Sequence, residues 1–188
     1  AAQTVDLNGQ SFGTLAVAKT GGSVAFGSGF ACDKFLCAGT AELSLVFAAG
    51  TTATVNELRL SGASGAAANL TLASGTPGAR WNFDVKNLAL VSGVSVSDSA
   101  ATGAEIYADN PSVNGGNNDK WHFGSRTVSW IGGASGDFTN EVNWSDGAAP
   151  DSTTRLLLDT NAAISIGAGV AAEVREVLAQ SGTTTFSG

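Results

Sequence analysis

Short apolar runs recur along this chain, each interrupted by glycine, serine, threonine or alanine. The clearest are Val5-Asp6-Leu7, Leu15-Ala16-Val17, Val24-Ala25-Phe26, Leu43-Ser44-Leu45, Leu58-Arg59-Leu60, Leu70-Thr71-Leu72, Val94-Ser95-Val96, Glu105-Ile106-Tyr107 and Ile164-Ser165-Ile166. Most alternate large and small residues, the two-residue period of a strand with one buried face. Their spacing, mostly about ten to twenty residues, fits short strands winding around one axis. The pattern therefore predicts an all-β chain built as a parallel β-helix, or β-solenoid. Its inward set would include Leu7, Leu15, Val17, Phe26, Leu45, Val55, Leu58, Leu60, Leu70, Leu72, Val94, Val96 and Ile106. An antiparallel sandwich is the rival, because short strands between turn signals suit that architecture too.

Helical periodicity is nearly missing. The best stretch, Val170 to Gln180, also reads as a strand at Val174-Arg175-Glu176-Val177-Leu178, and strand-like neighbours favour that reading. Residues 1–123 read as one ladder, with corners at Gly39-Thr40, Gly50-Thr51, Ser61-Gly62 and Gly75-Thr76, where glycine permits positive φ. Residues 124–152 have a different texture, rich in glycine and carrying Trp130, Phe138 and Trp144; they read as an aromatic junction. Strands resume over residues 153–188 and point toward a following unit.

Charge narrows the partners. Only 13% of residues are charged and the net charge is −7, with pI about 4.4. No basic cluster exists, Lys120 and Arg126 being isolated, so nucleic acid and anionic membrane surfaces are not expected partners. No run approaches the roughly 20 apolar residues of a membrane-spanning helix. The chain lacks an initiator methionine and a leader pattern, and reads as a processed or excised piece.

Candidate chemistry is sparse. Cys32 and Cys37, the only cysteines, lie in a loop-like run and can close a small disulfide ring, which would imply an oxidising compartment. Two buried thiols are the other reading, and two ligands cannot complete a zinc site. The polar stretch Asp109 to Asp119 offers hard oxygens, and Asp109, Asn114, Asn117 and Asp119 are weak candidates for calcium. No calcium-loop spacing is present, and Asn and Asp also make turns unaided. Asp98, Glu105 and Asp109 would converge only if successive coils stack in register. His122, the single histidine, lies between Trp121 and Phe123 and would face away from both. No nucleophile elbow, phosphate loop or catalytic set stands out, so no catalytic or cofactor-binding residue is assigned. The tryptophans Trp81, Trp121, Trp130 and Trp144 could stack sugars, but their Gly and Asn flanks suit capping of core edges better. The sequons at Asn69 and Asn143 read as accidental.

Several motifs occur in a fixed order: Gly50 to Gly62, Leu72 to Val85 around Thr76-Pro77-Gly78 and Trp81, Val96 to Gly103, and Gly115 to Phe123. Together with Trp130 to Pro150, this string resembles a repeat unit of large, repetitive bacterial surface proteins. The resemblance implies an extracellular or cell-surface structural or adhesive unit of tandem solenoid coils, similar in kind to adhesin stalks. It implies no catalytic residues. Identical units joined end to end, as a tandem array or a fibre, are the expected partners, with a glycan or surface receptor as a further one. A carbohydrate-binding module, or less favourably a polysaccharide-degrading β-helix enzyme, is the alternative.

Overall fold

The computed structural model describes residues 1–39, 41–63 and 68–188. It divides into two compact units, Ala1–Gly124 and Ser125–Gly188. The first carries β1 (Ala2–Val5), β2 (Ser11–Val17), β3 (Gly22–Phe26), β4 (Phe30–Ala38), β5 (Leu43–Phe47), β6 (Thr52–Ser61), β7 (Leu70–Ser74), β8 (Trp81–Ser92), β9 (Val94–Val96), β10 (Ser99–Ala101), β11 (Ile106–Asp109), β12 (Val113–Asn114) and the start of β13 (Trp121–Ser129). The chain alternates between two sheets. One has the order β1-β3-β5-β7-β9-β12, and the other runs β2-β4-β6-β8-β11-β13 with β10 beside β8. The pairs β1–β3, β2–β4, β3–β5, β4–β6, β5–β7 and β6–β8 are all parallel. The molecule is thus all-β with parallel sheets, and the antiparallel sandwich is set aside.

Alternation creates this arrangement. In β5 and β7 every second residue is buried, so one face of each strand turns inward. Parallel pairing then places like positions one above another. Val24, Leu45, Leu72 and Val96 form one inward column; Leu15, Phe35, Leu58 and Ala89 form another. All thirteen residues expected to face inward belong to this core, with Leu7, Leu15 and Val17 only partly buried. An aromatic column adds to it. Phe47 stacks on Phe26 at 5.1 Å and on Trp81 at 3.9 Å between ring centroids. The outward positions of the first sheet carry no charge: Ser23, Ser44, Thr71 and Ser95 line up, as do Thr4, Ala25, Val46 and Ala73.

The disulfide expectation fails. Cys32 and Cys37 are both buried free thiols on β4. The alternation slips at Asp33-Lys34, both exposed, so two cysteines an odd number of residues apart face the same core. Five strand residues span about 16 Å, far beyond the 7 Å limit on Cα separation for a bridge. Burial pushes each thiol up to about 11. Glycine at the corners also acts in two ways rather than one. Of Gly39, Gly50, Gly62 and Gly75, only Gly50 adopts positive φ, at 74°. Gly62 is needed because a Cβ there would lie 2.0 Å from the Gly93 carbonyl oxygen. Thr40 lies outside the described residues.

The second unit continues β13 and adds β14 (Ser135–Asp137), a 3-10 turn at Glu141–Asn143, β15 (Thr154–Leu158), β16 (Ala162–Ser165), β17 (Glu176–Ala179) and β18 (Thr184–Ser187). Strands again alternate between two parallel sets, β13-β15-β17 and β14-β16-β18. Of the expected strand Val174 to Leu178, the part from Glu176 onward is strand, as β17, and Arg175 before it is a bend. Trp130, Phe138 and Trp144 pack with Val128, Leu156, Leu158, Ala162 and Ile164 into one core. Gly132 and Gly136 let the backbone approach the Trp130 ring, which a Cβ at Gly132 would meet at 2.5 Å. Arg126 fastens the 146–151 loop through Asp146 at 2.9 Å and the Ala148 and Ala149 carbonyls at 2.8 and 3.2 Å.

Candidate functional site

The residues that could carry chemistry do not assemble into one centre. Among the described residues no three His, Cys, Asp or Glu side chains come together as a metal site. Asp98 accepts from the Asn117 amide at 2.7 Å and the Gly78 N–H at 3.1 Å, and these bonds hold its carboxyl below the usual range. Both Asp98 and Asn117 sit at positive φ, so the pair locks two stacked corners. Glu105 has other partners: His122 at 3.0 Å and the Tyr107 hydroxyl, which donates at 3.2 Å. Asp109 lies on β11, beside Ser92 of β8.

The calcium candidates have turn-building roles. The Asn117 side-chain oxygen accepts from the Arg80 guanidinium at 3.1 Å. That of Asn114 accepts from the Gly116 N–H at 3.0 Å and the Asn118 amide at 2.7 Å. Asp119 joins the ladder through its backbone, donating to Ser99 and accepting from Ala101. A cation at Asn117 would have to displace a guanidinium. The sequon asparagines are also engaged. Asn69 accepts from the Ala63 N–H at 2.6 Å, and Asn143 donates to the Asp137 carbonyl at 2.9 Å.

The four tryptophans are core residues, none more than 7% exposed. Each indole N–H is satisfied internally: Trp81 by Ser97, Trp121 by Ser99, Trp130 by Gly133 and Trp144 by Phe138. No indole face is left for a sugar. Outside the core, half-buried Tyr107 lies against exposed His122, stacked at 4.4 Å, with Glu105 bonded to both. As expected for a strand, His122 is exposed while Trp121 is buried.

A different feature stands out: the strands with one paired neighbour. Among the described residues, β1 and β2 of the first unit each pair on one side only, and β17 and β18 of the second do the same. Inward residues there are uncovered. Phe12, in register with buried Cys32, is 38% exposed; Val177, in register with Leu156, is 49%; Phe186, in register with Ile164, is 42%. The other sheet edges, β12 and β14, are two and three residues long, too short to offer much of a template. Sequence reading located most of the strands, Phe30–Ala38 excepted, but not their register. The register that puts Val177 and Phe186 in core columns is visible only once the pairs are known.

Comparison with known protein families, curated proteins and solved structures gives no match.

Proposed function

We propose that this chain is a structural or adhesive unit of an extracellular bacterial array, built as a parallel β-solenoid whose coils continue into neighbouring units. The observation that carries the reading is the succession of parallel strand pairs held in register, β1 on β3, β3 on β5, β5 on β7 and β7 on β9, which stacks like residues into inward columns as repeated coils do. An uncharged outer face on the first sheet and scattered, separately bonded carboxylates suit a scaffold better than a reaction site. Buried reduced thiols remove the disulfide as an argument for secretion, so the extracellular setting rests on composition and the repeat-like motifs. Immunogold electron microscopy of the producing cells tests it. Label on surface filaments or stalks supports the reading; purely cytoplasmic label, or lyase or hydrolase turnover on polysaccharides, overturns it.

Carbohydrate binding is the second reading, favoured by half-buried Tyr107 stacked on exposed His122 with Glu105 in reach. Glycan-array binding that is lost in Tyr107→Ala, without turnover, would put it first.

A further inference from the structure

We infer that Glu105, Tyr107 and His122 form a binding site for one divalent transition-metal ion, copper(II) or zinc(II), which ties two neighbouring strands together. The inference goes beyond the structural reading above and does not depend on it.

Strand geometry brings the three donors together. Ile106 and Trp121 are buried, so two-residue alternation turns Glu105, Tyr107 and His122 to the outer face. β11 and β13 are neighbours in one sheet, and the Ile106 N–H donates to the Lys120 carbonyl at 3.0 Å. The Tyr107 and His122 rings stack at 4.4 Å with only 16° between their planes. Their polar edges meet at a single carboxylate oxygen. Glu105 Oε2 lies 3.0 Å from His122 Nε2 and accepts from the Tyr107 hydroxyl at 3.2 Å.

Those separations are the ones a small ion needs. Two ligand atoms, each about 2.1 Å from an ion, lie about 3.0 Å apart across a right angle and about 3.4 Å apart along a tetrahedral edge. Both observed distances fall in that window, so an ion replaces the two hydrogen bonds with little movement. One imidazole nitrogen with two oxygens suits copper and zinc, and copper should bind more tightly. The His122 and Glu105 side chains are 44% and 51% exposed, which leaves room for water to complete the coordination. An exposed pair of this kind contributes little to stability by itself, whereas the ring stack fixes both donors before an ion arrives. Groupings of His, Cys, Asp and Glu alone pass over the site, because its third donor is a tyrosine.

Isothermal titration of the full chain, first stripped of metal by a chelator, with copper sulfate and with zinc sulfate is the experiment. One ion per chain is expected, bound more tightly for copper. His122→Ala and Glu105→Gln should each weaken binding by about 10–100-fold or more, since losing a ligand costs at least what losing a partner of a ligand does. The Tyr107 hydroxyl passes its proton to solvent as it takes the ion. With copper this gives a visible phenolate charge-transfer band, which Tyr107→Phe abolishes while keeping the ring. An ion held at about a hundred times its Kd should raise Tm by about 5–10 °C, and the variants should lose that rise while far-UV circular dichroism shows them folded. No saturable binding of either ion overturns the inference. So does one-to-one binding that survives His122→Ala or Glu105→Gln, or a copper complex without the tyrosine band.

Discussion

Phe47 is the residue whose removal best tests the inward columns. It is 2% exposed, stacked between Phe26 and Trp81, with Phe83 edge-on at 5.5 Å. Truncation to alanine in a tightly packed core costs about 3–5 kcal/mol, because the cavity closes only in part. The two strands flanking β5 are held in register along their length, so collapse there is restricted. The upper half of that range is therefore expected, about 4 kcal/mol. A domain is stable by only about 5–15 kcal/mol. Phe47→Leu keeps most of the buried area and loses mainly ring stacking, so it should cost about 1–2 kcal/mol. The assay is urea unfolding followed by far-UV circular dichroism and tryptophan fluorescence. Trp81 lies against Phe47 and should report the change first. At about 2–4 °C per kcal/mol for a chain of this size, Phe47→Ala lowers Tm by about 8–16 °C. A cost below about 1 kcal/mol for alanine, or equal costs for leucine and alanine, would refute the stacked-column account.

Other expectations follow from close contacts and titration. Gly103→Ala should cost about 1–3 kcal/mol, since its Cβ would sit 2.4 Å from the Val85 carbonyl oxygen. Gly13→Ala, with nothing within 4 Å, should be neutral or stabilising by a few tenths of a kcal/mol; paired thermal melts check both. Two thiols should react with a disulfide reagent only after denaturation, and reductant should leave Tm unchanged; fast labelling of native protein would contradict the burial. Asp6, Asp98, Asp137 and Asp151 are held below the ordinary aspartate pKa, chiefly by hydrogen bonds from Ser28, Asn117, Thr139 and Thr153 respectively. Their folded pKa lies below the unfolded one. That contribution is complete above about pH 4 and is lost as pH falls through the folded values. Urea midpoints should match at pH 7 and pH 5 and drop at pH 3; a midpoint that rose on acidification would contradict this.

The fold was legible wherever the two-residue period was clean. Leu43-Ser44-Leu45 and Leu70-Thr71-Leu72 announce buried strands because nothing interrupts their alternation. Phe30 to Cys37 looked like a loop because the period slips at Asp33-Lys34, and that slip hid Phe35, fully buried, and turned two cysteines into a supposed bridge. The glycine-rich flank of Trp81 reads as surface and suggests an edge cap, whereas the ring stacks on Phe47 in the aromatic column. Polar residues between Asp109 and Asp119 could be read as ligands or as turns. Sequence cannot tell which, because the answer depends on which N–H groups stack beside them. Arg80 decides the matter at Asn117, and it is far away in the chain.

The distribution of exposed apolar residues follows from the strand pairing. Inward residues in the middle of the first unit, such as Leu45, Leu58 and Leu72, have no exposure, because a strand covers them on either side. An inward residue covered on one side only should keep a large part of its surface open. Phe12, Val177 and Phe186 match that expectation and lie on the strands with a single neighbour. Ile131 and Val142 are exposed for another reason, since they flank the Trp130–Trp144 bridge in a turn outside the ladder. So the exposed apolar residues differ in kind: Phe12, Val177 and Phe186 are inward residues of strands with one neighbour, whereas Val113, Ile131, Val142 and Val170 are not. A binding face for a small ligand needs concave shape and converging polar groups, which neither kind supplies. Exposure of an inward residue thus follows the number of strands beside it, whereas exposure at Ile131 and Val142 follows the turn that holds them.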